Sequence, residues 1–177
     1  GPYPLERLEN IETVSESVGL ATGETRSDDG VEFAESRVAA HYGEPVALLD
    51  ITGGQERVAA GLETAATHLE VDQVVGVDAG GDVLARGGEP GLRSPLADAV
   101  SVAALDGADL PTTVGVYGWG SDGELTADEL DASLSAVAKR GGMLGSWGLT
   151  PSVCAELEAL FETVPTEASR LPVEAAR

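Results

Sequence analysis

The chain has 177 residues, 42% of them apolar, and sets 31 acids against 10 bases for a formal charge of -21. That length and apolar content suffice for one domain with a buried core, while no apolar run comes near the roughly 18 residues that a membrane span needs. So large an acidic excess disfavours nucleic acid as a partner, because phosphate would be repelled rather than neutralised.

In chain order, residues 10–21 read as a mixed, extended opening, and residues 31–42 as a helix carrying Phe33, Ala34, Arg37, Val38 and Tyr42, closed by Gly43. An apolar strand over 46–51 carries Asp50 and runs through Thr52 into Gly53 and Gly54. Residues 55–69 place Val58, Leu62, Ala65, Ala66 and Leu69 on one face at helical spacing. The plan then repeats. A strand over 73–78 leads through a glycine-rich acidic loop to a helix beginning at Ser94, with Pro95 at its first position and Leu96, Val100 and Ala103 facing inward.

A third strand, 112–117, ends at Gly118-Trp119-Gly120-Ser121-Asp122-Gly123-Glu124. The helix after it has a full start signal, with Thr126 and Glu129 as a capping box and Leu125 and Leu130 as a hydrophobic staple. Lys139, Arg140, Gly141 and Gly142 suit its end, since cations favour the last turn and glycine takes the left-handed cap. A last helix starts at Thr150 and Pro151 and buries Val153, Leu157 and Leu160, and residues 164–177 read as a turn and a tail.

Strand and helix alternating three times predicts right-handed crossovers. The expected architecture is a Rossmann-like or flavodoxin-like three-layer sandwich on a mainly parallel sheet, in a single α/β domain spanning 1–177.

That architecture gives the strand-to-helix loops their interest. All three combine glycine with acid: Asp50 to Gly54, Asp78 to Asp82, and Gly118 to Glu124. In a parallel sheet such loops converge on the carboxyl edge, where ligands bind. Glycines there permit positive φ and close approach of backbone N–H groups to an anion. Carboxylates beside them would repel that anion unless a divalent cation intervenes or the acids bind hydroxyls or amines.

The richest stretch is 74–98, VVGVDAGGDVLARGGEPGLRSPLAD. Asp78 and Asp82 are the expected holders of a divalent metal, Mg²⁺ or another such cation, or of substrate hydroxyls. Glu89, between Gly87-Gly88 and Pro90-Gly91, is the expected general acid or base, which makes Asp78, Asp82 and Glu89 the candidate catalytic set. Gly53, Gly54, Gly80, Gly81, Arg93, Ser94, Asp98, Asp122 and Glu124 are the candidate substrate contacts, with Arg93 orienting an anion. The plainer alternative for each aspartate beside glycine is an Asx-type turn cap. Trp119 and Trp147 either stack on a ligand or plug a loop. His41 and His68 lack partners at metal-ligand spacing, and Cys154 reads as small core filler.

Several chemistries are excluded. A single cysteine supports neither a disulfide framework nor a sulfur metal cage. There is no Gly-x-Ser-x-Gly elbow, no phosphate loop ending in lysine and a hydroxyl residue, and no dinucleotide fingerprint. Residues 1–10 carry acids and prolines where a signal peptide needs a basic and then an apolar segment, so the cytoplasm is the expected location. Nine arginines with the single Lys139, and acids spread along the whole chain, point to a salt-loving host in which a short Debye length makes the self-repulsion tolerable.

The runs GVDAGGDVLARGGEPGLRSPLADAV, SDGELTADEL and VPTEAS, with the opening PYPLE, make the chain resemble the DUF1152 family, a largely archaeal group without an assigned reaction. The likeness covers nearly the whole chain. It implies a Rossmann-like α/β fold and a cytoplasmic location. It also implies a further strand and glycine-rich loop ahead of the opening and a continuation beyond Arg177, so the chain is expected to be the middle of such a protein. The Gly80-Gly81-Asp82 run followed by a glycine-flanked glutamate is also similar to the acidic glycine loop of D-glutamate cyclase-type lyases.

The expected function is therefore an enzyme that binds a small polar or anionic metabolite at an acidic, glycine-rich pocket on the sheet edge. Its chemistry would be that of a metal-assisted hydrolase or a lyase or cyclase. The rival is a non-catalytic nucleotide- or metabolite-binding regulatory module. The expected partner is a small molecule, neither nucleic acid nor membrane, and a homo-oligomer is compatible with the sequence.

Overall fold

The first strand pair turns on a serine. The Ser15 hydroxyl oxygen accepts the backbone N–H groups of Ser17 at 3.2 Å and Val18 at 3.0 Å, reversing the chain between β1 (Leu8–Thr13) and β2 (Val18–Ser27). β3 (Val46–Leu49) pairs with the other side of β2, also antiparallel, with Val18 opposite Leu49 and Ala21 opposite Val46. The expected mainly parallel sandwich is thus corrected. The computed structural model, which describes residues 3–93 and 95–177, shows a mixed α/β fold with a three-stranded antiparallel sheet, β1-β2-β3, and a separate two-stranded one, β4-β5.

The chain divides into two compact units. The first comprises the residues up to Gly76 with Val100–Thr113 and Glu162–Pro165, and the second comprises Val77–Ala99, Val114–Phe161 and Thr166–Arg177. In the first unit, α1 (Ala34–Tyr42) ends where Gly43 takes the left-handed conformation at φ 71° and returns its N–H to Ala39. Leu5, Ala21 and Leu48 form one apolar cluster, joined by Leu8, Ile11 and Phe33. α2 (Gln55–His68) supplies Val58, Ala59 and Leu62 to a second cluster completed by Ala104 and Leu105 of α3 (Pro95–Gly107). The inward face of α3 is therefore set by Val100, Ala104 and Leu105, whereas Leu96, expected inside, is 74% exposed.

β4 (Val74–Ala79) and β5 (Thr112–Tyr117) run parallel. Val74 donates to Pro111 at 3.0 Å and Gly80 to Tyr117 at 2.9 Å, so one offset holds at both ends of the pair. Parallel strands are normally covered on both faces, yet Val75 and Val77 are 54% and 69% exposed.

In the second unit, α4 (Ala127–Lys139) starts with the expected capping box, Thr126 accepting the Glu129 N–H and Glu129 accepting the Thr126 N–H. α5 (Pro151–Phe161) and α6 (Leu171–Ala175) enclose Cys154, Phe161 and Val173, which confirms the sulfur as core filler. No helix among the described residues is long and apolar enough to cross a membrane.

The ion pairs formed, such as Arg7–Asp28, Arg26–Glu9 and Arg37–Glu32, join side chains that are each more than two-fifths exposed. Pairs so exposed to solvent are screened and add little, which leaves a charge of -21 largely uncompensated. Raising the salt from about 0.1 M to about 1 M shortens the Debye length from about 10 Å to about 3 Å, so the melting temperature should climb steadily across that range in thermal denaturation. A flat or falling profile would contradict self-repulsion as the dominant electrostatic burden.

Candidate functional site

The site is built at the end of β4. The strand delivers Asp78, and the chain then turns through Gly80 and Gly81, whose φ angles of 126° and 118° lie where side-chain-bearing residues are rare. There is no room for a side chain either. A Cβ on Gly80 would lie 2.1 Å from the carboxyl carbon of Asp122, and one on Gly81 would lie 2.7 Å from a methyl of the buried Leu130. The turn is pinned by Asp78, whose Oδ2 accepts the Gly81 N–H at 2.8 Å and the Val83 N–H at 3.4 Å. It is also pinned across β5, where Gly120 donates to the Gly80 carbonyl at 2.6 Å.

That turn places Asp82 in a single 3-10 turn, Asp82–Leu84, and brings it against Asp98 in the first turn of α3. Asp78, Asp82 and Asp98 each offer a carboxylate oxygen such that the three lie within 4.8 Å of one another, and all three residues are half-buried. Asp122 comes from the β5–α4 loop and adds its charge to that of the set. Its Oδ1 accepts the Glu124 N–H at 3.1 Å, while its Oδ2 is buried without a hydrogen-bond partner, as is the neighbouring Ser121 hydroxyl.

Crowded carboxyl groups cannot all ionise. Burial, then the hydrogen bond and charge of Asp98, then the charges of Asp78 and Asp122 push Asp82 up to about 8. Burial likewise raises Asp78, although the Val83 and Gly81 amides pull it back. Asp82 is therefore the member that carries a proton at neutral pH. Three oxygen donors at this spacing suit a hard divalent cation, which prefers carboxylate oxygen.

The other candidate residues divide by location. Glu89 is drawn into its own turn, where its carboxylate accepts the N–H groups of Arg86 at 2.8 Å and of Gly87 and Gly88 at 2.9 Å each. Those donors, that of Arg86 foremost, hold Glu89 below the ordinary glutamate range, the opposite of what a general acid needs. Glu124 accepts the Arg93 N–H at 2.6 Å, tying the loop before α3 to the β5–α4 loop. The Arg93 and Arg86 side chains are ion-paired with no acid among the described residues. Ser94 lies outside the described residues.

Gly53 and Gly54 belong to the first unit, where Gly54 caps α2 and Gly53 packs against Arg57. Asp50, in the same unit, accepts the Thr52 N–H at 2.8 Å, the Thr52 hydroxyl at 2.6 Å and the Leu5 N–H at 3.3 Å. This is the Asx-type turn cap weighed against a ligand role. Asp98, expected as a substrate contact, lies in one cluster with Asp78 and Asp82, and its place in the first turn of α3 is the signal the sequence offers for it. Nothing in the sequence pointed to Ser121.

Because the folded value of Asp82 lies above the ordinary 3.8, the folded chain holds a proton that the unfolded chain has lost between about pH 4 and about 8. Stability must fall across that window as pH rises. Asp82→Asn keeps a donor toward its neighbours and has nothing to ionise. In a chelator, the variant should match the parent near pH 4 and melt at a higher temperature than the parent above pH 8. Parallel melting profiles across the whole range would refute the shared proton.

A family model described as "Protein of unknown function (DUF1152)" matches residues 1–177. No curated protein and no solved structure matches the chain.

Proposed function

Since the chain belongs to the DUF1152 family, whose description assigns no activity, we propose from the geometry that it binds a divalent cation at Asp78, Asp82 and Asp98 and, through that cation, a small anionic metabolite. The observation that carries this is the packing of three half-buried carboxylates within 4.8 Å. Such an arrangement forces one of them to keep a proton and costs stability, unless a cation takes the proton's place. Gly80 and Gly81 hold the turn open to Asp122, and Asp122 lends its negative charge to the same ion.

Mg²⁺ or Mn²⁺ fits this donor set. When bound, the ion supplies Lewis acidity toward an anionic substrate and a more acidic bound water. The residues of the chain then divide the remaining work. Asp78 keeps the turn closed through the Gly81 and Val83 amides, Asp82 gives up its proton, and Asp98 brings the helix to the site. Arg93 and Arg86, free of acid partners among the described residues, supply positive charge for the substrate. We assign the chain to metal-assisted hydrolysis, or to lyase or cyclase chemistry, on a small metabolite. We also place it in the cytoplasm of a salt-adapted archaeal cell, on the strength of its acidity and its resemblance to a largely archaeal family.

One observation favours a second reading, that of a non-catalytic nucleotide- or metabolite-binding regulatory module. Glu89, the expected general acid or base, has its carboxylate engaged by the amides of its own turn. The two readings part on whether a bound metabolite is recovered unchanged.

Millimolar Mg²⁺ or Mn²⁺ should raise the melting temperature at neutral pH in molar salt, through mass action on the folded state. The increase should shrink by most of its size in Asp98→Asn and Asp82→Asn, and stay intact in Glu89→Gln. An equal rise in all four proteins, or none in any, would overturn the cation site.

A further inference from the structure

Acids occur throughout this chain, yet residues 132–155 contain none, and the same window holds the only lysine, Lys139, beside Arg140. Within it, residues 142–150 run as an extended strap between α4 and α5 with no helix, strand or turn. Residues 143–149 make no hydrogen bond to the rest of the described chain, so their backbone groups are open to a partner. The strap is apolar and outward-facing. Trp147 is 85% exposed, Leu144 73% and Met143 41%. The Trp147 ring lies over Gly145, whose Cβ would come within 3.1 Å of it. Trp147 also edges an open depression of about 330 Å³ lined by Val116, Tyr117, Leu149 and Pro172.

We propose that this strap, Met143 to Leu149, is the contact through which two copies of the chain pair. The charge distribution selects the partner. With 31 acids spread along the chain, two copies meeting over acid-bearing segments would set like charge against like charge, which disfavours the contact. Residues 132–155 are the longest acid-free stretch of the sequence, and they hold the tryptophan, methionine and arginine that interface centres favour. A two-fold pairing sets each strap against its own copy in antiparallel sense. The Lys139–Arg140 end of one copy then turns toward the end of the other that leads into α5. An acidic partner of another kind would need no acid-free apolar centre, and a nucleic acid would still meet the charge of -21 around it.

The test is sedimentation velocity of the intact chain in molar salt, over a wide range of concentration, with the fluorescence of a Trp119→Phe variant read in parallel. Trp147 is then the only tryptophan. The expected result is a monomer–dimer equilibrium, with Trp147 emission moving to shorter wavelength as the dimer forms. Leu144→Asp and Trp147→Asp, both at exposed positions, should weaken dimerisation at least about tenfold, a loss of about 1.4 kcal/mol. A monomer at every concentration, a dimer indifferent to both substitutions, or Trp147 emission that is blue-shifted in the monomer would overturn the proposal. The last result would mean that the strap is covered from within its own chain.

Discussion

Three carboxylates with a fourth beside them occupy a space that cannot hold all of their charge, and the second unit is arranged around that constraint. β4 brings Asp78 to the edge, the two glycines let the backbone pass beneath Asp122, and α3 closes the set with Asp98. Leu130, buried at the start of α4, packs where a side chain on Gly81 would have to go. The position of α4 is therefore coupled to a turn that only glycine can make. The capping box sets the start of α4, the helix that carries Leu130.

The two units show how the same residue type acquires opposite character. For Asp50, burial works against ionisation, yet the Thr52 hydroxyl, the Thr52 and Leu5 amides and the charge of Arg57 together hold it below the ordinary aspartate range. It sits at 3% exposure as a structural anion. Asp82 is raised to about 8 by burial first and then by Asp98, Asp78 and Asp122, with no amide donor to offset them. Burial works against ionisation in both, and the hydrogen-bond donors around Asp50, missing around Asp82, send the two in opposite directions. Glu89 falls on the side of Asp50, with three amides for one carboxylate.

Much of this was legible in the sequence, for identifiable reasons. Local signals carried through: the Thr126–Glu129 box, the Gly43 cap, and the spacing of Val58, Leu62, Ala65 and Ala66 all predict what is found. Long-range pairing did not. The turn at Ser15 has neither the asparagine nor the glycine that announces a tight hairpin, so β1 and β2 read as an irregular opening and β3 reads as a strand of the parallel sheet, whereas it pairs with β2. The identity of the acid cluster was half legible. Asp78 and Asp82 announce themselves beside glycines, but the role of Asp98 depends on the angle at which α3 enters. The fate of Glu89 depends on a loop closing on itself. Neither has a periodic signature, since both are set by backbone geometry several residues away.

In the proposed cation site the proton on Asp82 holds the place of the ion. Calorimetric titration of the chain with Mn²⁺ near neutral pH, repeated in two buffers of different ionisation enthalpy, counts the protons that leave on binding. Close to one proton should leave per ion, shrinking toward zero well above pH 8 and absent in Asp82→Asn. Saturable binding with no proton release at neutral pH, or no binding at all, would contradict it.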